Sequence, residues 1–146
     1  MAVLAIYGSL FASAFLAATL LPVSSELVLL GLLTSGRSDP VLLFVAATAG
    51  NTLGSVVNWI LGRGIDTLQS SRWFPVTPSQ YERAARSFRR YGKWTLPLAW
   101  LPVIGDAFTV VAGAARVRLG LFVLLVALGE AARYAVVIMG GLWAMT

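Results

Sequence analysis

Two of the four long apolar stretches in this chain carry a proline within the same tripeptide, Leu21-Pro22-Val23 and Leu101-Pro102-Val103. The stretches cover residues 1–33, 41–61, 94–115 and 119–145. A helix needs about 20 apolar residues to cross the hydrocarbon core of a bilayer. The second and fourth stretches supply them without interruption. Proline lacks an amide donor and clashes with the preceding turn, so the first and third stretches are expected to break at Pro22 and Pro102, near mid-membrane depth. Non-helical backbone at that depth survives only where protein buries it or where it lines a wet cavity. The bilayer is the expected solvent, since 58% of the residues are apolar and the mean hydropathy is +0.82. A soluble domain of 146 residues has too little interior to hide so many apolar side chains.

Several chemistries are excluded by composition. There is no cysteine, which removes disulfides, haem thioether links and thiolate-bound zinc. There is no histidine, the commonest general base and metal ligand. Six acidic residues are too few for a multi-carboxylate metal cage. No metal, no cofactor and no enzymatic activity are expected. Ile104-Gly105-Asp106 is faintly similar to the Gly-x-Gly-Asp of intramembrane aspartyl proteases, but the first glycine is missing and no Tyr-Asp partner exists. The N-terminus has no Lys or Arg ahead of its apolar run and is read as retained rather than as a signal peptide.

Positive charge is concentrated in the middle of the chain. Nine of the eleven Lys and Arg residues fall between Arg63 and Arg118, and positive residues flanking membrane segments favour the cytoplasm. The 62–93 connection and the 116–118 turn share that side only if residues 94–115 enter and leave by the same face, as a re-entrant hairpin folded at Pro102. By the same logic Arg37 is external, and residues 1–33 form a second hairpin folded at Pro22 and entering from outside.

The two prolines stand 80 positions apart, and each is followed four residues later by a carboxylate, Glu26 or Asp106. An arginine turn (Arg37, Arg116) and a Gly-polar pair (Gly50-Asn51, Gly129-Glu130) then recur in the same order. The expected architecture is therefore an all-α membrane protein with an inverted repeat of re-entrant hairpin plus transmembrane helix, a design found in secondary transporters. Residues 1–61 form the first repeat, 62–93 a cytoplasmic connection and 94–146 the second repeat, together a single multi-pass domain.

Within the connection, Thr77-Pro78-Ser79-Gln80 reads as a helix start, with Thr as N-cap, Pro at the first helical position and Gln reaching back. Tyr81, Ala84, Ala85, Phe88 and Tyr91 follow at helical spacing, and Arg83, Arg86, Arg89 and Arg90 take the rest. Such a basic amphipathic helix suits an anionic leaflet. Lipid phosphate rather than nucleic acid is the expected partner of these arginines, though setting topology alone would equally account for them.

Charges at mid-bilayer cost at least about 2.5–3.5 kcal/mol each on insertion scales, so Glu26, Asp106, Glu130 and Arg133 are candidate functional groups, with Asn51, Asn58 and Arg116 beside them. Each has a structural reading too. Glu26 and Asp106 could cap half-helices. Glu130 and Arg133, three apart, could neutralise each other. Asn51 and Asn58 could hydrogen-bond between helices. A carboxylate whose exposure alternates can carry a proton. The leading expectation is thus a small transporter, proton-linked, moving a lipid or other anionic substrate past hairpin breaks at Pro22, Pro102 and Gly105. The competing one is a non-transporting protein that organises the bilayer through its basic helix. A homo-oligomer pairing through Gly50 and Gly54 is compatible with so thin a bundle.

The runs Phe88-Arg-Arg-Tyr-Gly-Lys-Trp, Leu101-Pro102 and Val111-Ala112-Gly113-Ala-Ala-Arg116 resemble the second half of the DedA family, whose eukaryotic relatives carry the VTT, or SNARE-associated, domain. Leu21-Pro22 with Glu26, and Leu61-Gly62-Arg63, resemble its first half. The likeness is greatest to the short YqaA-like subgroup. It implies a bacterial inner-membrane protein with two re-entrant hairpins and a part in lipid translocation, including undecaprenyl phosphate recycling and phospholipid scrambling, often driven by the proton-motive force. Glu26 matches the acid of the first hairpin, and Pro102, Gly113 and Arg116 match the second hairpin and its exit. Typical members carry arginines three residues before and after the second hairpin proline, where this chain has Ala99 and Gly105. Their usual second acid falls near Asn51 or Ser55, neither of which ionises.

Overall fold

A computed structural model describes residues 2–19, 24–68 and 70–146. The predicted break at Leu21-Pro22-Val23 lies outside the described residues. All regular structure among the described residues is helical. The elements are α1 (Ala2–Ala17), α2 (Ser25–Thr34), α3 (Pro40–Arg63), α4 (Ile65–Leu68), α5 (Pro78–Tyr91), a 3₁₀ segment (Gly92–Leu98), α6 (Ile104–Ala114) and α7 (Leu119–Ala144).

Helix lengths sort these elements. At a rise of about 1.5 Å per residue, the 24 residues of α3 and 26 of α7 exceed the roughly 30 Å hydrocarbon core. Among the described residues these two helices are long and apolar enough to cross a membrane. Both leave large apolar side chains exposed, including Leu42, Val45 and Ile60 on α3 and Leu124, Leu128, Val136 and Met139 on α7. The 10 residues of α2 and 11 of α6 reach only about half that depth.

Two compact units divide the chain, and each draws on both long helices. The first comprises residues 1–54 and 130–146. Its core is Leu10 of α1, Leu29 and Leu33 of α2, Leu43 and Ala47 of α3, and Tyr134 and Ile138 of α7. The start of α3 is fixed by Asp39, whose Oδ1 accepts from the amides of Val41 (2.7 Å) and Leu42 (3.2 Å), with Pro40 opening the helix as its fixed φ allows. The Tyr7 hydroxyl accepts from the Asp39 amide at 2.9 Å, tying α1 to this turn.

The second unit comprises residues 55–129. Helix α5 opens on the predicted capping box. Thr77 Oγ1 accepts from the Gln80 amide (3.3 Å), and Gln80 Oε1 accepts from the Thr77 amide (2.8 Å). Its apolar stripe is not left for lipid. Ala84, Ala85, Tyr81 and Phe88 pack against Ala107, Phe108, Val110 and Val111 of α6, while Arg83, Arg86, Arg89 and Arg90 stay exposed. Tyr91, expected on the stripe, is exposed, because α5 ends there. Gly92 follows at φ 60°, ψ −142°, a positive-φ conformation that glycine takes without a Cβ penalty. From Gly92 to Leu98 the chain runs as a 3₁₀ helix containing Pro97.

The chain turns between Leu98 and Ile104, at the predicted Pro102. Val103 sits at φ 67°, ψ −57°, and the Ile104 amide reaches back to the Pro102 carbonyl at 2.7 Å. This is the rare, strained form of the γ-turn, on a β-branched residue that resists positive φ. Gly105 follows against the carbonyl oxygen of Ala99, where a Cβ would overlap it. Helix α6 then buries eight of its 11 residues. It meets the end of α3 through two glycines. Gly62 faces the Val110 carbonyl and Gly113 faces the Trp59 carbonyl, each too close for a side chain. The Trp59 indole donates to the Val117 carbonyl at 3.1 Å.

Gly113→Ala should therefore destabilise by about 1–3 kcal/mol, since backbone rather than a movable side chain must give way. Gly8→Ala, where a Cβ meets nothing within 4 Å, should be neutral or stabilising by up to about 1 kcal/mol. Thermal unfolding of the purified protein in detergent compares the two. In the same assay Val103→Gly should hold or raise the midpoint, because relief of about 1–3 kcal/mol of strain offsets the freer unfolded chain.

Candidate functional site: two carboxylates on short helices

Each short half-helix carries its acid in its first turn, at Glu26 in α2 and Asp106 in α6. Neither acid serves as the cap. In α2 the N-cap is Ser24, whose Oγ accepts from the Leu27 amide at 3.3 Å. Helix α6 starts after Val103 without a side-chain cap. Both carboxylates point instead to a long helix.

In the first unit that helix is α7. Arg133 Nη2 lies 2.7 Å from Glu26 Oε1, and its Nε donates to the same oxygen at 2.9 Å. Its Nη1 donates to Glu130 Oε2 at 3.3 Å, the pairing expected from their spacing. One guanidinium thus serves two carboxylates. A second contact holds the same two helices, the buried hydroxyls of Ser25 and Tyr134 at 2.8 Å. The start of α2 is fixed to α7 by a hydroxyl pair and, one residue on along α2 and one back along α7, by an ion pair.

In the second unit the helix is α3. Asn58 Nδ2 donates to Asp106 Oδ1 at 3.3 Å, the interhelical role expected of that asparagine. Among the described residues no cation lies within 4.0 Å of Asp106. Thr109 Oγ1 donates to the Asp106 backbone carbonyl at 2.7 Å. Nearby on α3, Arg63 stacks over the Trp59 ring with its Cζ 4.9 Å from the centroid.

Asn51 is buried in the part of α3 that belongs to the first unit. Arg116 is exposed and terminates α6 at φ 56°. The Val117 amide bonds the Ala112 carbonyl and the Arg116 amide bonds the Gly113 carbonyl, both at 3.0 Å, which is a Schellman ending with arginine in the place glycine usually takes. Pro102 and Gly105 form the turn ahead of Asp106, and Pro22 lies outside the described residues. The four arginines of α5 are exposed on a helix far along the chain from either acid's partner. No group of three metal-ligating side chains occurs among the described residues.

Sequence reading missed Ser25 and Tyr134. Tyr134 stands beside the lone arginine of an apolar helix and Ser25 beside the lone acid of its own, a weak signal that was there to be used. The pairing of Glu26 with Arg133, 107 positions apart, has no local signal.

Removing the shared cation should cost more than removing one acid. Arg133→Leu leaves two carboxylates without compensation and should destabilise by about 3–5 kcal/mol, whereas Glu26→Gln leaves the Arg133–Glu130 pair and should cost clearly less. Chemical denaturation in mixed micelles ranks the two.

The VTT domain family model matches residues 2–142. The chain is 44% identical over 139 residues to the inner membrane protein YqaA of Escherichia coli K12, covering 92% of this chain and 93% of that one. The same figures hold for inner membrane protein YqaA of Shigella flexneri. An uncharacterized protein of Haemophilus influenzae is 38% identical over 135 residues, 86% of this chain and 80% of its own. No solved structure matches the chain. The chain belongs to the VTT-domain, or DedA, family.

Proposed function

We propose that this protein is a multi-pass transporter of the bacterial inner membrane that couples translocation of a lipid or other anionic substrate to protons. Its two half-helices belong to re-entrant hairpins in an inverted repeat. The observation that carries this reading is the matched pair of acids. Each lies in the first turn of a helix too short to span, and each is held by a side chain of a long apolar helix. Purely structural acids would be expected as caps, and neither caps its helix.

Other features support the reading. The relatives in Escherichia coli and Shigella flexneri are named as inner membrane proteins. The 16 residues of α1 extend about 24 Å, short of the hydrocarbon thickness, as a hairpin limb would be. The arginines of α5 and the connection around it favour a cytoplasmic placement. The two acids differ in their compensation, Glu26 by a guanidinium and Asp106 by a neutral amide. No resident cofactor or metal enters this scheme.

The four exposed arginines of α5 favour the second reading, a membrane-organising protein acting on anionic headgroups. Since α6 covers the apolar stripe of α5, only these charges would engage the leaflet. One assay separates the readings. Proteoliposomes carrying labelled lipid and a pH indicator, with an imposed pH gradient, should show gradient-dependent flux for the native protein. Glu26→Gln and Asp106→Asn should each reduce its dependence on the gradient at least about tenfold, while replacing Arg83, Arg86, Arg89 and Arg90 by Gln should leave it largely intact. Full gradient-dependent flux in both acid variants would sink the transport reading, and loss only in the arginine variant would favour the other.

A further inference from the structure

We infer that the Nε–Nη2 edge of Arg133 is an anion site, closed by ionised Glu26 and opened when Glu26 takes up a proton. The ligand is a phosphate-bearing anion. The inference rests on the transport reading above and adds to it a mechanism of coupling at one named pair of atoms.

The geometry of the ion pair is its starting point. Nε and Nη2 together present two parallel donors, a fork that matches two oxygens of one carboxylate or phosphate. Glu26 does not use the fork that way. Both donors converge on the single oxygen Oε1, at 2.9 and 2.7 Å, and Oε2 lies 3.5 Å from the Ser24 hydroxyl. A phosphate with two oxygens aligned on the edge would satisfy it more fully than Glu26 does.

Burial decides which acid can leave. The Glu130 side chain is 1% exposed and the Glu26 side chain 37%, with Arg133 at 18% between them. Glu130 bonds Nη1, outside the Nε–Nη2 edge, and so orients the guanidinium while leaving that edge to Glu26. Glu26 is the acid with access to protons and room to swing away. Its own helix does not depend on it for a cap, because Ser24 supplies that bond.

Charge then enforces the exchange. With both acids ionised, the cluster of Glu26, Glu130 and Arg133 carries one net negative charge. A monoanion added to it would set three negative groups around one guanidinium, in surroundings where such repulsion is poorly screened. If Glu26 is protonated as the anion arrives, the net charge is unchanged. One proton therefore enters with each monoanion. The proton goes onto a Glu26 carboxylate oxygen, and no covalent bond other than that O–H forms or breaks. The other titratable and charged side chains of the described part of the unit are Tyr134, Tyr7, Asp39 and Arg37. From α7, Tyr134 is bonded to Ser25. From α1, Tyr7 accepts from the Asp39 amide, and Asp39 caps α3. Arg37 is exposed in the turn before α3.

The test is equilibrium binding to the full-length protein in detergent, over a pH series, with two probes that keep one negative charge throughout: dihexanoyl phosphatidylglycerol and dimethyl phosphate. For the native protein the Kd should rise with pH, by about tenfold per unit above the titration of Glu26. Glu26→Gln should bind at every pH with no slope. Arg133→Lys keeps the charge but lacks the fork, so it should bind several-fold more weakly while keeping the slope. Binding of the lipid probe alone assigns the site to a headgroup, and binding of both assigns it to phosphate itself. The inference is overturned if neither probe binds the native protein, if its Kd is flat with pH, if Glu26→Gln keeps the native slope, or if Arg133→Lys binds as the native protein does. Should Glu26→Gln fail to fold, calorimetry of the native protein in buffers of different ionisation enthalpy decides the matter, with uptake of one proton per anion expected and none overturning it. Lost flux in proteoliposomes with these binding results intact would refute the transport reading and leave the site standing.

Discussion

The polar backbone at the end of a short apolar helix must be satisfied by protein wherever water cannot reach it, and much of the packing in both units meets that requirement. Each unsatisfied backbone group costs several kcal/mol where no water can reach it. Helices α2 and α6, of 10 and 11 residues, are too short to span a bilayer, and protein closes on their first turns. In the second unit the enclosure is made by backbone approach. Gly105 lies on the Ala99 carbonyl, and α6 lies on α3 through Gly62 and Gly113, which is how small residues let membrane helices pack. In the first unit polar side chains do more of it, through Ser24 at the cap and Ser25 and Glu26 against α7.

Those enclosures put a carboxylate beside a long helix twice, with opposite chemical outcomes. Glu26 meets a cation that it shares with Glu130, and Asp106 meets an amide. The partner also comes from an unexpected place. The repeated motifs in the sequence join each acid to the long helix that follows it, yet Glu26 is paired by α7 and Asp106 by α3. A charge at either acid is thereby linked to the helix that sequence order assigns to the other repeat.

What could be read from the sequence was local. The spans of α3 and α7 followed from uninterrupted apolar length, the start of α5 from Thr77-Pro78-Ser79-Gln80, and the turn before α6 from Pro102. The neutralisation of Arg133 by Glu130 followed from a spacing of three. What could not be read was tertiary. An amphipathic pattern says that Ala84 and Ala85 face something apolar, but not whether that is lipid or Phe108. Nothing in α2 names Arg133, because the contact depends on how distant segments pack. Proline marked the break near 102, but the 3₁₀ course of residues 92–98 ahead of it arises from Gly92 and Pro97 acting together. The membership of the chain in its family was legible in the motifs around Leu101-Pro102 and Gly113, and its departures at Ala99 and Gly105 acquire a reason for one of them. An arginine at 105 could not fit against the Ala99 carbonyl.

The two glycine contacts between α3 and α6 are reciprocal. Trp59 and Gly62 on one helix face Gly113 and Val110 on the other, each glycine on the other helix's carbonyl, an arrangement suited to Cα–H···O contacts. A surface of interdigitating side chains can slide by changing rotamers, but a backbone clasp of this kind cannot. Helix α6 is left with two options relative to the end of α3, seated or detached. Asp106 and Asn58 ride on that same pair of helices, so in the seated state their separation is set by main chain rather than by side-chain choice. Graded adjustment within the second unit would therefore have to come from α5 or the 3₁₀ segment.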